Sequence, residues 1–223
     1  MTAESKCLLP TYNVLSSAQI DKINNNALIV SHKKGEILFS QDKPVSHLMF
    51  LNSGLVKISK EGPNKKTVIL RIIGPGNYVG SFSAFFTNRY QVTATTLEDS
   101  ELVYINLNIL NEIITENGYY ALEIIRYMSN EGMYLVNKLI DFPQKQVPGR
   151  IAETLLFFAS EVYNNNEFTL PVSRQELADL VYSTKESVSR TLTEFKNDRL
   201  IEIDDRKVVL QSIDLLKILS RLG

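Results

Sequence analysis

The hydrophobic period of this chain changes near Asn108, and that change constrains the fold more than any other feature. Upstream, from about residue 27 to 105, short apolar runs are broken by Gly35, Gly54, Gly62, Gly74, Gly76 and Gly80, which is an all-β pattern. Residues 37–39, 47–51, 55–59, 67–73, 92–97 and 102–105 are each of strand length. Pro63-Asn64 and Gly74-Pro75-Gly76 supply turns between them. Strands this short and numerous predict a barrel or sandwich. Ahead of them, Ser16 or Ser17 is placed to cap a short helix running through Asn24.

Downstream, Ala121, Ile125, Met128, Gly132, Leu135, Leu139 and Phe142 recur at steps of 4, 3, 4, 3, 4 and 3. That is a heptad seam on one long helix, and it predicts self-association. Leu122, Ile124, Val136 and Ile140 widen the apolar face, so packing of the helix on its own β domain is the competing use. Gly132 costs helix propensity, roughly 1 kcal/mol relative to alanine, yet lets two backbones approach closely. Pro143 is expected to end or kink this helix, and residues 141–148, with two prolines, to form a hinge. Pro148 suits the first turn of the next helix, which Asn164-Asn165-Asn166 stops. The expected division is 1–108, a β domain; 109–147, the seam helix and hinge; and 148–223, a small helical domain.

Within that last domain, Ser173-Arg174-Gln175-Glu176 matches a capping box, so a helix starts there with Leu177, Leu180 and Val181 on one apolar face. Tyr182-Ser183 breaks it, and Thr184 caps a second helix whose Val188, Leu192 and Phe195 face inward. Two short helices joined tightly make either a plain helical hairpin or a helix-turn-helix. The outward chemistry favours the second: Glu186, Ser189 and Arg190 share one face, with Lys185 beside them. Arginine can hold guanine O6 and N7 together, glutamate can accept from cytosine N4, and serine can serve several bases. Residues 200–203 and 208–211 alternate around Asp204-Asp205-Arg206-Lys207, as in a hairpin wing with two basic residues at its tip. The domain is not globally basic, since residues 149–223 hold 10 Lys plus Arg against 12 Asp plus Glu, a net of −2. A local patch of Arg174, Lys185, Arg190, Lys196, Arg199, Arg206 and Lys207 is expected instead, with modest and salt-sensitive affinity that dimerisation reinforces.

Composition removes other classes. A chain that is 44% hydrophobic and 22% charged is not disordered in bulk. Its longest strictly apolar stretch, residues 155–159, falls far short of the roughly 20 residues of a membrane helix, and no secretory segment follows Met1, so a cytoplasmic protein with no membrane partner is expected. A single cysteine, Cys7, excludes an internal disulfide and a thiolate metal cluster within one chain. No Ser/His/acid set, metal-ligand cluster or phosphate loop is present, so no catalytic residues and no metal site are assigned. Gly74, Gly76 and Gly80 do not form a dinucleotide fingerprint and are turn glycines.

Gly35-Glu36-Ile37-Leu38-Phe39, Phe50-Leu51-Asn52-Ser53-Gly54-Leu55-Val56-Lys57, Gly76-Asn77-Tyr78-Val79-Gly80 and Val92-Thr93-Ala94-Thr95-Thr96 resemble segments of the Crp/Fnr family of bacterial transcription regulators. So do Gly149-Arg150-Ile151-Ala152-Glu153-Thr154-Leu155-Leu156 and, most specifically, Ser173-Arg174-Gln175-Glu176-Leu177-Ala178 through Lys185-Glu186-Ser187-Val188-Ser189-Arg190. The resemblance covers nearly the whole chain in matching order. It implies an α+β fold: an N-terminal β-roll (jelly-roll) of the cyclic-nucleotide-binding type, a long helix forming a parallel homodimer, and a C-terminal winged helix-turn-helix on palindromic double-stranded DNA. RNA polymerase is the further partner such a regulator implies. Glu186, Ser189 and Arg190 are similar to the reading triplet of the oxygen-responsive branch, which implies TTGA-like half-sites. The cyclic-AMP branch has arginine where this chain has Lys185. Tyr182 departs from the glycine common in the turn, so the turn is expected to form without a residue free to take positive φ.

The effector region departs further. Family members that bind cyclic nucleotides carry a Gly-Glu pair and an Arg-Ser or Arg-Thr pair; here Ser81 follows Gly80, and Asn88-Arg89 puts the arginine one position late. Gly80, Ser81, Asn88 and Arg89 are therefore candidate pocket residues for an unknown effector, with cyclic nucleotide disfavoured because the carboxylate is lost and the phosphate fork displaced. An iron–sulfur cluster is disfavoured by the single cysteine, and haem by the isolated His32 and His47. Arg89 as a plain surface residue is the competing reading. The alternative for the whole chain is a small-molecule-sensing module that binds a protein partner, against which the base-reading triplet argues.

Overall fold

The computed structural model describes residues 12–62, 65, 67–87 and 89–222. The chain forms two compact units, one of residues up to Glu61 together with Arg71–Tyr134, the other of Gly62–Leu70 and Leu135–Gly223. Cys7, Asn88 and the Pro63-Asn64 turn lie outside the described residues.

The first unit opens with α1 (Ser17–Asn26), capped by Ser16, whose hydroxyl accepts from the Gln19 amide while the Gln19 side chain accepts from the Ser16 amide. Eight strands follow: β1 (Ala27–His32), β2 (Ile37–Phe39), β3 (His47–Ser53), β4 (Val56–Glu61), β5 (Thr67–Ile73), β6 (Tyr78–Val79), then α2 (Ser81–Phe86), β7 (Thr93–Thr96) and β8 (Ser100–Asn106). They make two four-stranded sheets, ordered β1-β8-β3-β6 and β2-β7-β4-β5. Central β8 pairs antiparallel with β1, Ala27 opposite Ile105, and with β3, Leu48 opposite Ile105. This is the predicted β-roll. Gly54 has φ 90°, and a Cβ there would stand 2.2 Å from Ser100 Oγ, so no other residue fits between β3 and β4.

Asn106 caps α3 (Leu107–Glu116) through Asn108 N, and Asn117 Oδ1 accepts from the Tyr119 and Tyr120 amides at the start of α4 (Gly118–Gln144). Tyr120 and Ile124 of α4 complete a core with Leu48, Phe50, Tyr78, Val103, Ile105, Leu110 and Ile113, against which Tyr127 and Met128 also pack. On the same side, Arg71 of β5 pairs with Glu131 and lies over the Tyr134 ring at 4.4 Å. One face of the long helix thus serves its own β domain.

In the second unit α4 runs past Pro143 to Gln144, one residue beyond the expected stop. A helix end leaves its last carbonyls without amide donors, and a side chain supplies them here: Arg150 Nη1 donates to Phe142 O at 3.0 Å and, just past the helix, to Lys145 O at 2.8 Å. The expected eight-residue hinge therefore shrinks to Lys145-Gln146, because α5 (Val147–Phe157) begins with Pro148 inside its first turn. A wide turn at Phe158–Val162 leads to β9 (Glu167–Thr169), then α6 (Arg174–Leu180), α7 (Lys185–Asn197), β10 (Ile201–Asp204), β11 (Lys207–Leu210) and α8 (Ile213–Leu222). The sheet order is β10-β11-β9, so the wing has a third strand beyond the hairpin predicted. Leu155, Phe158, Leu177, Val188, Leu192, Phe195, Val208 and Leu216 are buried.

Candidate nucleic-acid interface

Helix α6 begins with the predicted capping box: Ser173 Oγ accepts from Glu176 N at 3.2 Å, and Ser173 N donates to Glu176 Oε2 at 2.8 Å. The turn then departs from expectation. Tyr182 itself takes the left-handed conformation, φ 51°, and lets Ser183 N reach Ala178 O at 2.9 Å. A tyrosine pays conformational strain there that glycine would not. Thr184 Oγ1 accepts from Ser187 N and starts α7.

Val188, Leu192 and Phe195 bury one side of α7, which sets its opposite side in solvent. There Lys185, Glu186 and Arg190 are exposed and Ser189 is half-buried, all within the amino-terminal half of the helix. Arg190 is 74% exposed, with Glu194 Oε1 a loose 3.9 Å away. The structure thus brings Glu186, Ser189 and Arg190 together on one solvent-facing side of α7.

The other cations of the predicted patch behave differently. Arg174 Nη2 donates to Asp205 O at 2.8 Å, tying the start of α6 to the wing tip, and burial lowers its pKa despite nearby Asp205. Arg206 Nε donates to Leu170 O at 3.0 Å, and Lys196 Nζ to Ile203 O at 3.1 Å. Lys207 meets Glu167 at 2.5 Å, and this hydrogen bond raises its pKa. These residues hold the wing against the helices while keeping positive charge at its rim. Sequence reasoning missed that second role, because the carbonyls that Arg174 and Arg206 bind are contributed by segments far along the chain.

The candidate effector residues are arranged otherwise. Gly80 has φ 81° at the start of α2, and a Cβ there would stand 2.9 Å from the Phe39 ring and 3.3 Å from that of Tyr90. Those two rings stack at 3.7 Å, 8° from parallel. Burial pushes the Tyr90 phenol up to about 12. Ser81 is buried, and exposed Arg89 donates from Nη1 to Asp42 O at 2.6 Å while its backbone bridges Pro44. Gly80 is thus followed by a hydroxyl side chain where a carboxylate was sought, and one Arg89 donor is engaged by a backbone carbonyl. No group of three or more metal-ligating side chains occurs among the described residues, and no helix among them is long and apolar enough to cross a membrane.

The outer face of α4 carries Leu122, Ile125, Met133, Leu135, Val136, Leu139 and Ile140, all exposed, Leu139 by 74%. Met128 leaves the predicted seam, since it packs inward with Tyr127. Gly132 stays on the outer side, where a Cβ would meet nothing within 4 Å. Phe142 is 47% exposed, its ring 5.1 Å from that of Tyr182 and 5.1 Å from the Arg150 guanidinium. Ile125, Gly132, Leu135 and Leu139 of the heptad read in the sequence thus lie on the outer side and Met128 does not, because the helix divides its apolar residues between two faces.

Residues 29–117 match the model of the cyclic nucleotide-binding domain family, and residues 149–219 that of the Crp-like helix-turn-helix domain. Among curated proteins, a CRP-like cAMP-activated global transcriptional regulator of Mycobacterium tuberculosis is 26% identical over 84% of this chain and 85% of its own. The anaerobic regulatory protein of Bacillus subtilis is 28% identical over 83% of this chain and 80% of its own. Among solved structures, a putative transcriptional regulator of the crp/fnr family from Eubacterium rectale superposes with a TM-score of 0.80 at 20% identity, over 96% of this chain and 98% of that one. FixK2 from Bradyrhizobium japonicum gives 0.79 at 21% identity, over 86% and 96%. At such identities the structural likeness speaks for the fold.

Proposed function

The chain belongs to the Crp/Fnr family of transcription regulators, and on that premise we propose that it acts as a cytoplasmic homodimer on palindromic DNA with TTGA-like half-sites. The observation that carries this reading is the free face of α7 bearing Glu186, Ser189 and Arg190. Laid in a major groove, Arg190 takes guanine O6 and N7, Glu186 accepts from cytosine N4, and Ser189 meets a neighbouring base. Lys185 and the wing cations Arg206 and Lys207, with Arg174 behind them, supply positive charge toward the flanking phosphates.

A domain with more acidic than basic residues gains little from charge alone, so two copies are needed for affinity. The exposed stripe of α4 provides their contact, with Ile125, Gly132, Leu135 and Leu139 at its centre. Two-fold pairing sets two α7 helices about 34–36 Å apart, one DNA turn. We assign residues 1–108 to sensing, 109–147 to self-association and 148–223 to DNA reading. We further infer that DNA binding requires no cyclic nucleotide, because Phe39 and Tyr90 fill the space beside Gly80 and Arg89 is engaged by Asp42. RNA polymerase is the partner through which bound protein would change transcription.

Selection of bound sequences from random duplex DNA by the ligand-free protein tests the reading. An inverted repeat with TTGA-like halves is expected. Failure to enrich any sequence, with or without a cytosolic small-molecule extract, would overturn it in favour of a protein-binding module.

A further inference from the structure

The Tyr182 ring, placed in the helix-turn-helix turn at a backbone angle that disfavours it, is the least expected side chain of the second unit. Its edge meets the Phe142 ring at 5.1 Å and 76°. Phe142 stands in the last turn of α4, and the Arg150 guanidinium lies over it at 5.1 Å. The same guanidinium binds the carbonyls of Phe142 and Lys145. Lys145 is held in turn by Asp141 at 3.0 Å and Glu153 at 3.2 Å, while Lys138 also reaches Glu153 at 3.0 Å. Burial disfavours the charged Lys145 ammonium, but its two carboxylate partners outweigh that cost and raise its pKa. The only non-helical residues between α4 and α5, Lys145 and Gln146, are thus bracketed on both sides. Residues from Leu135 onward belong to the same compact unit as α6 and α7.

We propose that Tyr182, Phe142 and Arg150 form a clamp that joins the end of α4 to the helix-turn-helix, so that α7 is oriented by the last turns of α4 and does not swing on a free hinge. The clamp explains why a tyrosine occupies a position that glycine would take without strain: its ring is the part of the turn that reaches α4. A signal acting on α4 then moves α7 with it. An unclamped connector would absorb the same motion in Lys145 and Gln146. The proposal rests on α7 being the DNA-reading helix, and Tyr182, Phe142 and Arg150 act in it as positioning residues.

The test uses the full-length protein and three variants. Tyr182→Gly removes the ring while suiting the backbone angle, Tyr182→Asn removes the ring with a second residue that tolerates that angle, and Tyr182→Phe keeps the ring. Hydrogen exchange is followed at the Lys145 and Arg150 amides, which donate to Asp141 O and Gln146 O. Specific and nonspecific duplex affinities are measured alongside. Tyr182→Gly and Tyr182→Asn are expected to speed exchange and weaken specific binding, each by about 3- to 10-fold, the range of one lost aromatic pair. Nonspecific affinity should be unchanged, and Tyr182→Phe should match the parent. Unaltered exchange in both ring-less variants would overturn the clamp. Faster exchange with undiminished specific affinity would overturn its orienting role. If the parent bound no DNA, the exchange measurement would still decide the clamp, and the failure would belong to the DNA-binding reading.

Discussion

One arginine of the β-roll, Arg89, and one of the helix-turn-helix, Arg190, differ in what holds them. Arg190 stands free on α7 with a carboxylate no closer than 3.9 Å, whereas Arg89 is committed to the Asp42 carbonyl at 2.6 Å. Gly80 faces a closed aromatic stack, and the α7 face beside Ser189 is open. A hydrogen-bonding group that already has a partner must lose it before binding a ligand, so Arg190 can meet a new partner at less cost than the engaged donor of Arg89. The difference teaches that the local partners of an arginine, and not the residue type alone, set its readiness to bind.

The largest test of that contrast is Leu139→Asp, which puts a charge on the most exposed aliphatic position of α4. Loss of the dimer is expected to lower affinity for a palindromic site by about 100-fold or more, with protomer mass in sedimentation. An intact dimer would transfer that stripe to another role. Next comes Arg190→Ala, expected to cost about 1–3 kcal/mol on the preferred site and to relax selection at its guanine. Competition between matched and mismatched duplexes measures this, and unchanged discrimination would remove Arg190 from the reading set.

Alkaline pH should separate the two units by a comparable amount. Burial pushes the Tyr90 and Tyr127 phenols up to about 12, with Glu131 adding to the Tyr127 shift, and both lie in the roll unit. Their folded pKa values exceed the unfolded value near 10, so the stability they contribute is complete below about pH 10 and is lost as pH rises through about 12. Each shift corresponds to roughly 2–3 kcal/mol. Calorimetry between pH 9 and 12 should show the roll transition falling most steeply, and Tyr90→Phe should flatten it. The smallest effect is expected from Arg89→Ala, about 1 kcal/mol of roll stability for one hydrogen bond, with DNA affinity unaltered. A changed DNA affinity in that variant would mean that Arg89 does more than hold the Asp42 loop.

Much of this was legible in the chain because local chemistry governs it. Strands 37–39 and 67–73 coincide with β2 and β5, and Ser16, Ser173 and Thr184 cap their helices as capping chemistry requires. What the sequence hid is set by distant partners. Met128 turns inward because the roll contributes Tyr78, Val103 and Ile105 to the core on that side of α4, which periodicity alone does not register. Residues 141–148 looked like a hinge from their prolines, but Arg150 and Lys145 supply the hydrogen bonds that let helix persist on either side of two residues. Tyr182 adopts positive φ although it is not glycine, because its ring has Phe142 to meet. For the common side of Glu186, Ser189 and Arg190, spacing sufficed, since residues 186, 189 and 190 must share a face on any helix. For the wing cations it did not, as Leu170 and Asp205 lie 36 and 31 residues from the arginines they bind.

The central claim is that the protein reads DNA as a dimer without a nucleotide in the roll. It is tested most directly by titrating a duplex carrying two inverted TTGA-like half-sites one turn apart, with and without cyclic AMP. The account predicts saturation at two protomers per duplex, strong preference over a scrambled duplex, and the same isotherm in both conditions. Binding that appears only with cyclic AMP, or equal affinity for the scrambled duplex, would contradict it.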